Sequence, residues 1–279
     1  LVRGLRDSLT DSQRQRLLLP WDDPRRVRAH NNWHVVPHAI RDAYDDGQRR
    51  VIEDIVRANM SEDGYERLMR SMRDDAGGLG SYSVALFEGE GDSLTFVLTG
   101  RHVTMRANDA GIPSLFDGPV FYGHAVEFNE RPDHPGNVWW DQARAASKVF
   151  HALDPQHQAA AMAPTGSPRD EQASVTLQGA GGRFAGLPIS ALTPDQRELF
   201  QSVLADMLGP YRAANAEGVR ASIEAHGGLD ALHIAFYADG DLPDADDVWD
   251  RWRIEGPGLS CYFRGSPHVH AWLNVAAVG

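Results

Sequence analysis

The sequence predicts an α+β fold: an antiparallel sheet built from two groups of strands, about 81–107 and 230–275, covered by helices. Two observations carry this. Strand-like runs follow one another through short turns, which pairs neighbours antiparallel. Stretches with apolar residues three and four apart lie before and between the two groups, rather than alternating with single strands as in an α/β protein.

Residues 1–20 read as helical, with Leu17, Leu18 and Leu19 as an apolar patch and Pro20 as the stop. An irregular segment follows, rich in Trp, Asn and His, from Trp21 to His38. Residues 46–59 place Val51, Ile52, Ile55 and Val56 on one helical face. Residues 61–73 form a second helix, with Ser61 as N-cap and Glu62 and Asp63 in the first turn. Asp74 to Gly80 breaks the helical pattern. Ser81 to Phe87, Ser93 to Thr99 and Arg101 to Ala107 then read as strands punctuated by glycine turns. Residues 111–136 contain four prolines and are expected to be a long loop, with a short extended piece at Val120-Phe121-Tyr122.

Helical patterns return at about 137–151, 154–162, 193–207 and 209–225. Two of them open alike, on Asp154-Pro155 and Thr193-Pro194, a cap residue followed by proline at the first helical position. Asp230 to Ala238, Trp252 to Glu255, Leu259 to Arg264 and His268 to Val275 complete the strands. The expected organisation is an N-terminal helical extension over 1–32 and a single α+β domain over 33–279.

Composition narrows the function. With 27 Lys and Arg against 39 Asp and Glu, the formal net charge is −12, which argues against nucleic acid or an anionic membrane as main partner. No run approaches the roughly 20 apolar residues of a membrane span. Cys261 is the one cysteine, so a disulfide within the chain and a cysteine zinc site are both excluded, and its apolar strand-like setting marks it as a buried small residue. A cytoplasmic location is the first expectation, with a leader cleaved ahead of Leu1 as the alternative.

The candidate chemistry lies with the histidines. His268 and His270 stand one residue apart in an extended run, so both face one way, about 6–7 Å apart. His102 shares a polar face with Thr104, Arg106 and Asn108, opposite Val103, Met105 and Ala107. If these strands neighbour each other, His102, His268 and His270 line one pocket, and His124 in the long loop completes it. Neutral imidazoles suit copper, iron or zinc and suit magnesium or calcium poorly. Glu127 or Asp109 would serve as catalytic base, extra ligand or orienting carboxylate. Arg106, on the face of His102, would hold a substrate carboxylate. His30, His34 and His38 recur every four residues, but Asn31, Asn32 and Pro37 argue against the regular helix that would gather them. His233 is a second-tier candidate. The acidic run Asp239 to Asp247 is expected to be a solvated loop, and the tryptophans at 139, 140, 249 and 252 to pack in the core.

The order of Gly100-Arg101-His102-Val103-Thr104, Phe121-Tyr122-Gly123, Leu192-Thr193-Pro194-Asp195-Gln196, Arg253-Ile254-Glu255-Gly256-Pro257-Gly258 and His268-Val269-His270 resembles a bacterial family, domain of unknown function 3500. The resemblance runs from roughly Trp33 to the end. It implies that 33–279 form one domain, and it strengthens His102, His268 and His270 as site residues. The sequence departs from the family pattern at Arg101-His102, where a paired histidine is expected. It departs again at Ala271-Trp272-Leu273-Asn274, where a charged stretch is expected.

The function expected from these readings is a histidine-ligated metalloenzyme, first a copper- or iron-dependent oxidoreductase acting on a small organic or peptide substrate. The alternatives are a zinc-dependent hydrolase and a non-enzymatic module that binds a small ligand in a Trp/His-lined pocket.

Overall fold

Ten strands pair into one continuous sheet, mixed but mostly antiparallel, in a computed structural model that describes residues 1–91, 93–108, 116, 118–127, 136–239 and 248–278. The strands are β1 (Leu18–Pro20), β2 (Ser83–Glu88), β3 (Leu94–Gly100), β4 (Val103–Asn108), β5 (Val120–His124), β6 (Leu187–Pro188), β7 (His233–Phe236), β8 (Arg251–Gly256), β9 (Leu259–Arg264) and β10 (Val269–Val275). Their order across the sheet is β1-β2-β3-β4-β5-β10-β9-β8-β7-β6. Only β1 runs parallel to its neighbour, Leu18 beside Leu86. The α+β class is therefore that of the fold.

The helices are α1 (Val2–Asp7), α2 (Asp11–Leu17), α3 (Ile40–Ala43), α4 (Asp46–Asn59), α5 (Glu62–Ala76), α6 (Asp141–His151), α7 (Pro155–Ala161), α8 (Pro194–Leu208) and α9 (Ala213–Ala225). Their starts follow the local chemistry. Thr10, Asp45 and Thr193 each close a capping box with a glutamine three residues on, and Ser61 and Asp154 cap α5 and α7. The capping box at Thr10 also splits the expected N-terminal helix in two. Beyond it, Leu18 to Pro20 are extended and join the sheet.

Strand alternation gives the sheet two unlike faces. Val84, Leu98 and Met105 face one side, as do Val269, Ala271 and Leu273, and there they meet Ile52, Leu68, Val149, Phe200 and Val219 of the helices in the main core. Val2, Leu5, Leu9 and Leu17 of the N-terminal segment belong to that same core. The opposite face carries a smaller aromatic cluster of Phe121, Tyr237, Tyr262 and Trp272, roofed by Ala29 and Val175 from two irregular segments. Hydrogen bonds fix the second segment in place: Asn274 Nδ2 donates to the Val175 carbonyl (2.7 Å) and Ser260 Oγ to that of Ser174 (3.2 Å).

The element that joins the two halves of the sheet is β5. The Pro-rich stretch around it was expected to be a loop with a brief extended piece. Instead its extended piece runs from Val120 to His124 and pairs with β4 on one side and β10 on the other. Nothing local enforces this; the partners do. Asp109, His134 and the acidic run from residue 240 to 247 lie outside the described residues. Trp139, Trp140 and Trp252 are buried in the main core, and Trp249 packs against it, as their sequence settings predict.

Cys261 faces the main core and is buried, and burial pushes its thiol up to about 12. Native protein at pH 8 is therefore expected to resist an aromatic disulfide reagent, while protein unfolded in guanidinium releases one thiol per chain. Fast stoichiometric labelling of folded protein would contradict this placement.

Candidate metal centre

Three histidines converge on the smaller-core face of the sheet. The ligating nitrogens of His102, His268 and His270 all lie within 4.8 Å of one another. Their ring centroids are 4.9 Å (His102–His268), 5.0 Å (His102–His270) and 4.8 Å (His268–His270) apart. All three are buried. They line a cavity of about 900 Å³ that opens to the surface between the two irregular segments.

Each histidine is placed by a different local device. His270 is in β10, directly opposite Gly123 of β5 and Arg264 of β9. His268 precedes the strand, after a cis Ser266–Pro267 bond. His102 sits in the two-residue turn between β3 and β4, since Gly100 pairs with Val103. Its φ of 59° lies in the left-handed region, which costs a non-glycine residue roughly 1–2 kcal/mol. Backbone bonds hold it there: His102 N donates to the Asn31 carbonyl (2.8 Å), and Gly123 N donates to the His102 carbonyl (2.9 Å). A residue held against its own preference beside a cluster of like side chains is a mark of a functional site.

Gly123 makes the convergence possible. A Cβ there would stand 2.5 Å from the Val269 carbonyl oxygen, 3.2 Å from His270 Cδ2 and 3.4 Å from His102 Cβ. No side chain fits between the strands that carry two of the three imidazoles.

Carboxylates stand behind two of the histidines. His270 Nδ1 is 3.0 Å from Asp170 Oδ2, and Arg264 grips the same carboxylate through Nε (3.2 Å) and Nη2 (2.6 Å). Arg264 Nη2 also lies 2.5 Å from His270 Nδ1. Assigned Asp170 as its acceptor in preference to the competing Arg264 donor, His270 Nδ1 carries the proton, which leaves the lone pair on Nε2. That nitrogen is buried and makes no hydrogen bond among the described residues. Burial pushes the His270 imidazolium well below its ordinary range, with the Asp170 bond opposing, so the ring is neutral and able to ligate. For Asp170, burial alone would raise its proton affinity. The bond to His270 and the Arg264 guanidinium outweigh it and hold the carboxyl well below the usual range.

Asp75 does the same for His102. Its Oδ2 lies 2.9 Å from His102 Nδ1, off the line of an ideal ring N–H bond. Its carboxylate is almost fully buried, with Arg101 Nε at 3.6 Å and the Ala125 N–H donating to Oδ1 at 3.2 Å. Histidine backed by a carboxylate is the usual outer arrangement of a metal ligand.

The sequence reading found the three converging histidines but misplaced their neighbours. His124 is one residue beyond Gly123, so it faces the other side of the sheet. There it is fully buried, with Nε2 3.1 Å from Asp74 Oδ2, away from the triad. Arg106 does share the alternation of Thr104, but its guanidinium is buried and donates to the carbonyls of Arg26 (2.7 Å), Arg28 and Pro119. It clamps the N-terminal segment to the sheet and does not line the cavity. Glu127 is exposed and lines no part of the cavity. His30 reaches the cavity rim, whereas His34 is exposed on an irregular segment. His233 packs on Phe184, with ring centroids 5.6 Å apart.

Asp75, Asp170 and Arg264 were the residues missed. Asp74-Asp75 had left a signal: both lie in the last turn of α5, where the helix dipole disfavours carboxylates. They are there to meet His124 and His102 on the two sides of the sheet. Asp170, about 100 residues from its partner, had no local signal.

The fold and this buried triad define an α+β protein with an arrangement able to hold a metal ion. The chain belongs to the family described as protein of unknown function (DUF3500), whose model matches residues 1–273. The match starts at residue 1 rather than near Trp33. No curated protein and no solved structure matches the chain.

Asp75→Asn and Asp170→Asn keep side-chain shape and remove charge. Each is expected to weaken metal binding roughly 10- to 100-fold, read by competition with a chromophoric chelator; unchanged affinity in both would remove the outer carboxylates from the site. Gly123→Ala is expected to cost about 1–3 kcal/mol of stability, seen as a lower denaturation midpoint.

Proposed function

We propose that the protein is a histidine-ligated metalloenzyme in which His102, His268 and His270 hold one copper, iron or zinc ion at the base of the cavity. The observation that carries this reading is the convergence of three buried imidazoles, two of them backed by buried or partly buried carboxylates. Such a set is costly to build for packing alone, because buried polar groups need partners and His270 Nε2 has none among the described residues. Three protein ligands with an adjoining cavity suit a catalytic site rather than a closed structural one.

An ion held there would supply a Lewis-acid or redox centre to a small organic or peptide substrate in the cavity. The protein's own part is to orient His102 and His270, through Asp75 and Asp170, and to hold the substrate beside the triad. The first reading is an oxidoreductase using copper or iron. It is favoured because both carboxylates that line the cavity are already engaged: Asp170 with Arg264 and His270, Asp239 with Ser167 and Arg251. Neither lining carboxylate is thus free to act as the general base of a zinc hydrolase, which leaves His30 at the rim as the candidate for that role.

Elemental analysis by plasma mass spectrometry on untagged protein and on a His268→Ala/His270→Ala variant tests the proposal. Near-stoichiometric copper, iron or zinc in the wild type, lost in the variant, is the expected result, and the ion found decides between oxidation and hydrolysis. No metal in either sample after incubation with each ion would overturn it.

A further inference from the structure

The wall of the cavity beside the triad holds two buried donors, Arg251 Nε and the Tyr262 hydroxyl, with no acceptor among the described residues. Arg251, Arg264 and His270 lie directly opposite one another on β8, β9 and β10, forming one row on the same face. Two arginines facing each other across neighbouring strands repel. Asp170 neutralises Arg264, and that guanidinium is fully engaged, with Nη1 also donating to the carbonyls of Ser266 (3.0 Å) and His268 (3.3 Å). Arg251 is different. Its Nη1 donates to Ser167 Oγ (2.9 Å) and reaches Asp239 at 3.4 Å, but its Nε is buried with no acceptor among the described residues.

Tyr262, next along the face, repeats the pattern. Its hydroxyl is buried and lies near Ser167, but no hydrogen bond of good geometry joins them. Burial pushes that hydroxyl up to about 12, so it stays a donor at neutral pH. Arg169, exposed at the rim, forms no ion pair among the described residues. Of the four lining arginines, Arg101, Arg251 and Arg264 each stand beside one carboxylate (Asp75, Asp239 and Asp170), so Arg169 leaves the lining one positive charge in excess, in a protein whose net charge is −12. Arginine has no acceptor atom, so what completes such a wall is an acceptor, and the local charge selects a negative one.

We propose that the substrate of this site is a small anion whose carboxylate or phosphate oxygens bind Arg251 and Tyr262, with Arg169 at the rim. This deepens the metalloenzyme reading and rests on it for the reaction, though not for the binding. Two strand spacings, about 10 Å, separate the Cα atoms of Arg251 and His270. A molecule held by its charged end at Arg251 therefore places a reactive atom a few bonds away over the triad. The role that the sequence suggested for Arg106 belongs to Arg251.

Titration calorimetry with succinate, inorganic phosphate and the neutral succinamide tests this, on the full chain, both chelator-treated and metal-loaded, with metal content measured in every sample. Binding is expected for succinate or phosphate and not for succinamide. The preferred anion tells carboxylate from phosphate. Arg251→Met is expected to weaken binding at least tenfold, and Tyr262→Phe, which preserves the packing, several-fold, with circular dichroism melts checking that both fold. Equal binding of succinamide, or wild-type affinity in folded Arg251→Met and Tyr262→Phe, would overturn the proposal. Anion binding to protein that takes up no metal would support this inference and overturn the metal reading. Metal uptake with no binding of either anion would do the reverse.

Discussion

Everything functional in this molecule depends on one close approach, that of β5 to β10 across Gly123. This pairing closes the sheet between its two halves, so residues 83–108 and 251–275 share one surface. It also sets the spacing of the site. The Gly123 N–H holds the His102 carbonyl while Gly123 lies opposite His270, so a single residue without a side chain fixes imidazoles drawn from distant parts of the sequence.

The two faces of the sheet divide the work. The helix-covered face holds the larger apolar core and supplies most of the burial that stabilises the fold. That leaves the opposite face free to carry buried polar and charged groups, which cost stability unless partnered. Asp170 and Arg264 neutralise each other and leave His270 with one free lone pair. Asp75, reaching past the end of α5, does the corresponding job at His102. The backbone at His102 adds a further cost, which the surrounding hydrogen bonds offset. Arg106, by contrast, shows that a buried arginine on the same face can be wholly structural: its donors end on backbone carbonyls that pin the N-terminal segment down.

Much of this was legible from residue order. The alternation in β10 places His270 apart from Val269, Ala271 and Leu273, and the pattern needs no tertiary knowledge. Ser61, Asp154 and Thr193 announce their helices because a cap acts on the turn that follows it. Cys261 reads as buried because its neighbours are apolar. A loop setting after Gly123 could not place His124, because the register of β5 depends on its partners. A shift of one residue there sends a side chain to the other face.

What the sequence by itself determined is the set of local elements, the α+β class and the polar faces on which His102, His268 and His270 stand. These follow from spacing, capping and alternation, which are short-range. Tertiary structure alone decided that β5 is a central strand, that Asp75 and Asp170 stand behind the histidines, and that Arg251 rather than Arg106 faces the cavity. Those facts depend on contacts between residues tens to about 150 positions apart, and the geometry that creates them exists only once the sheet has closed.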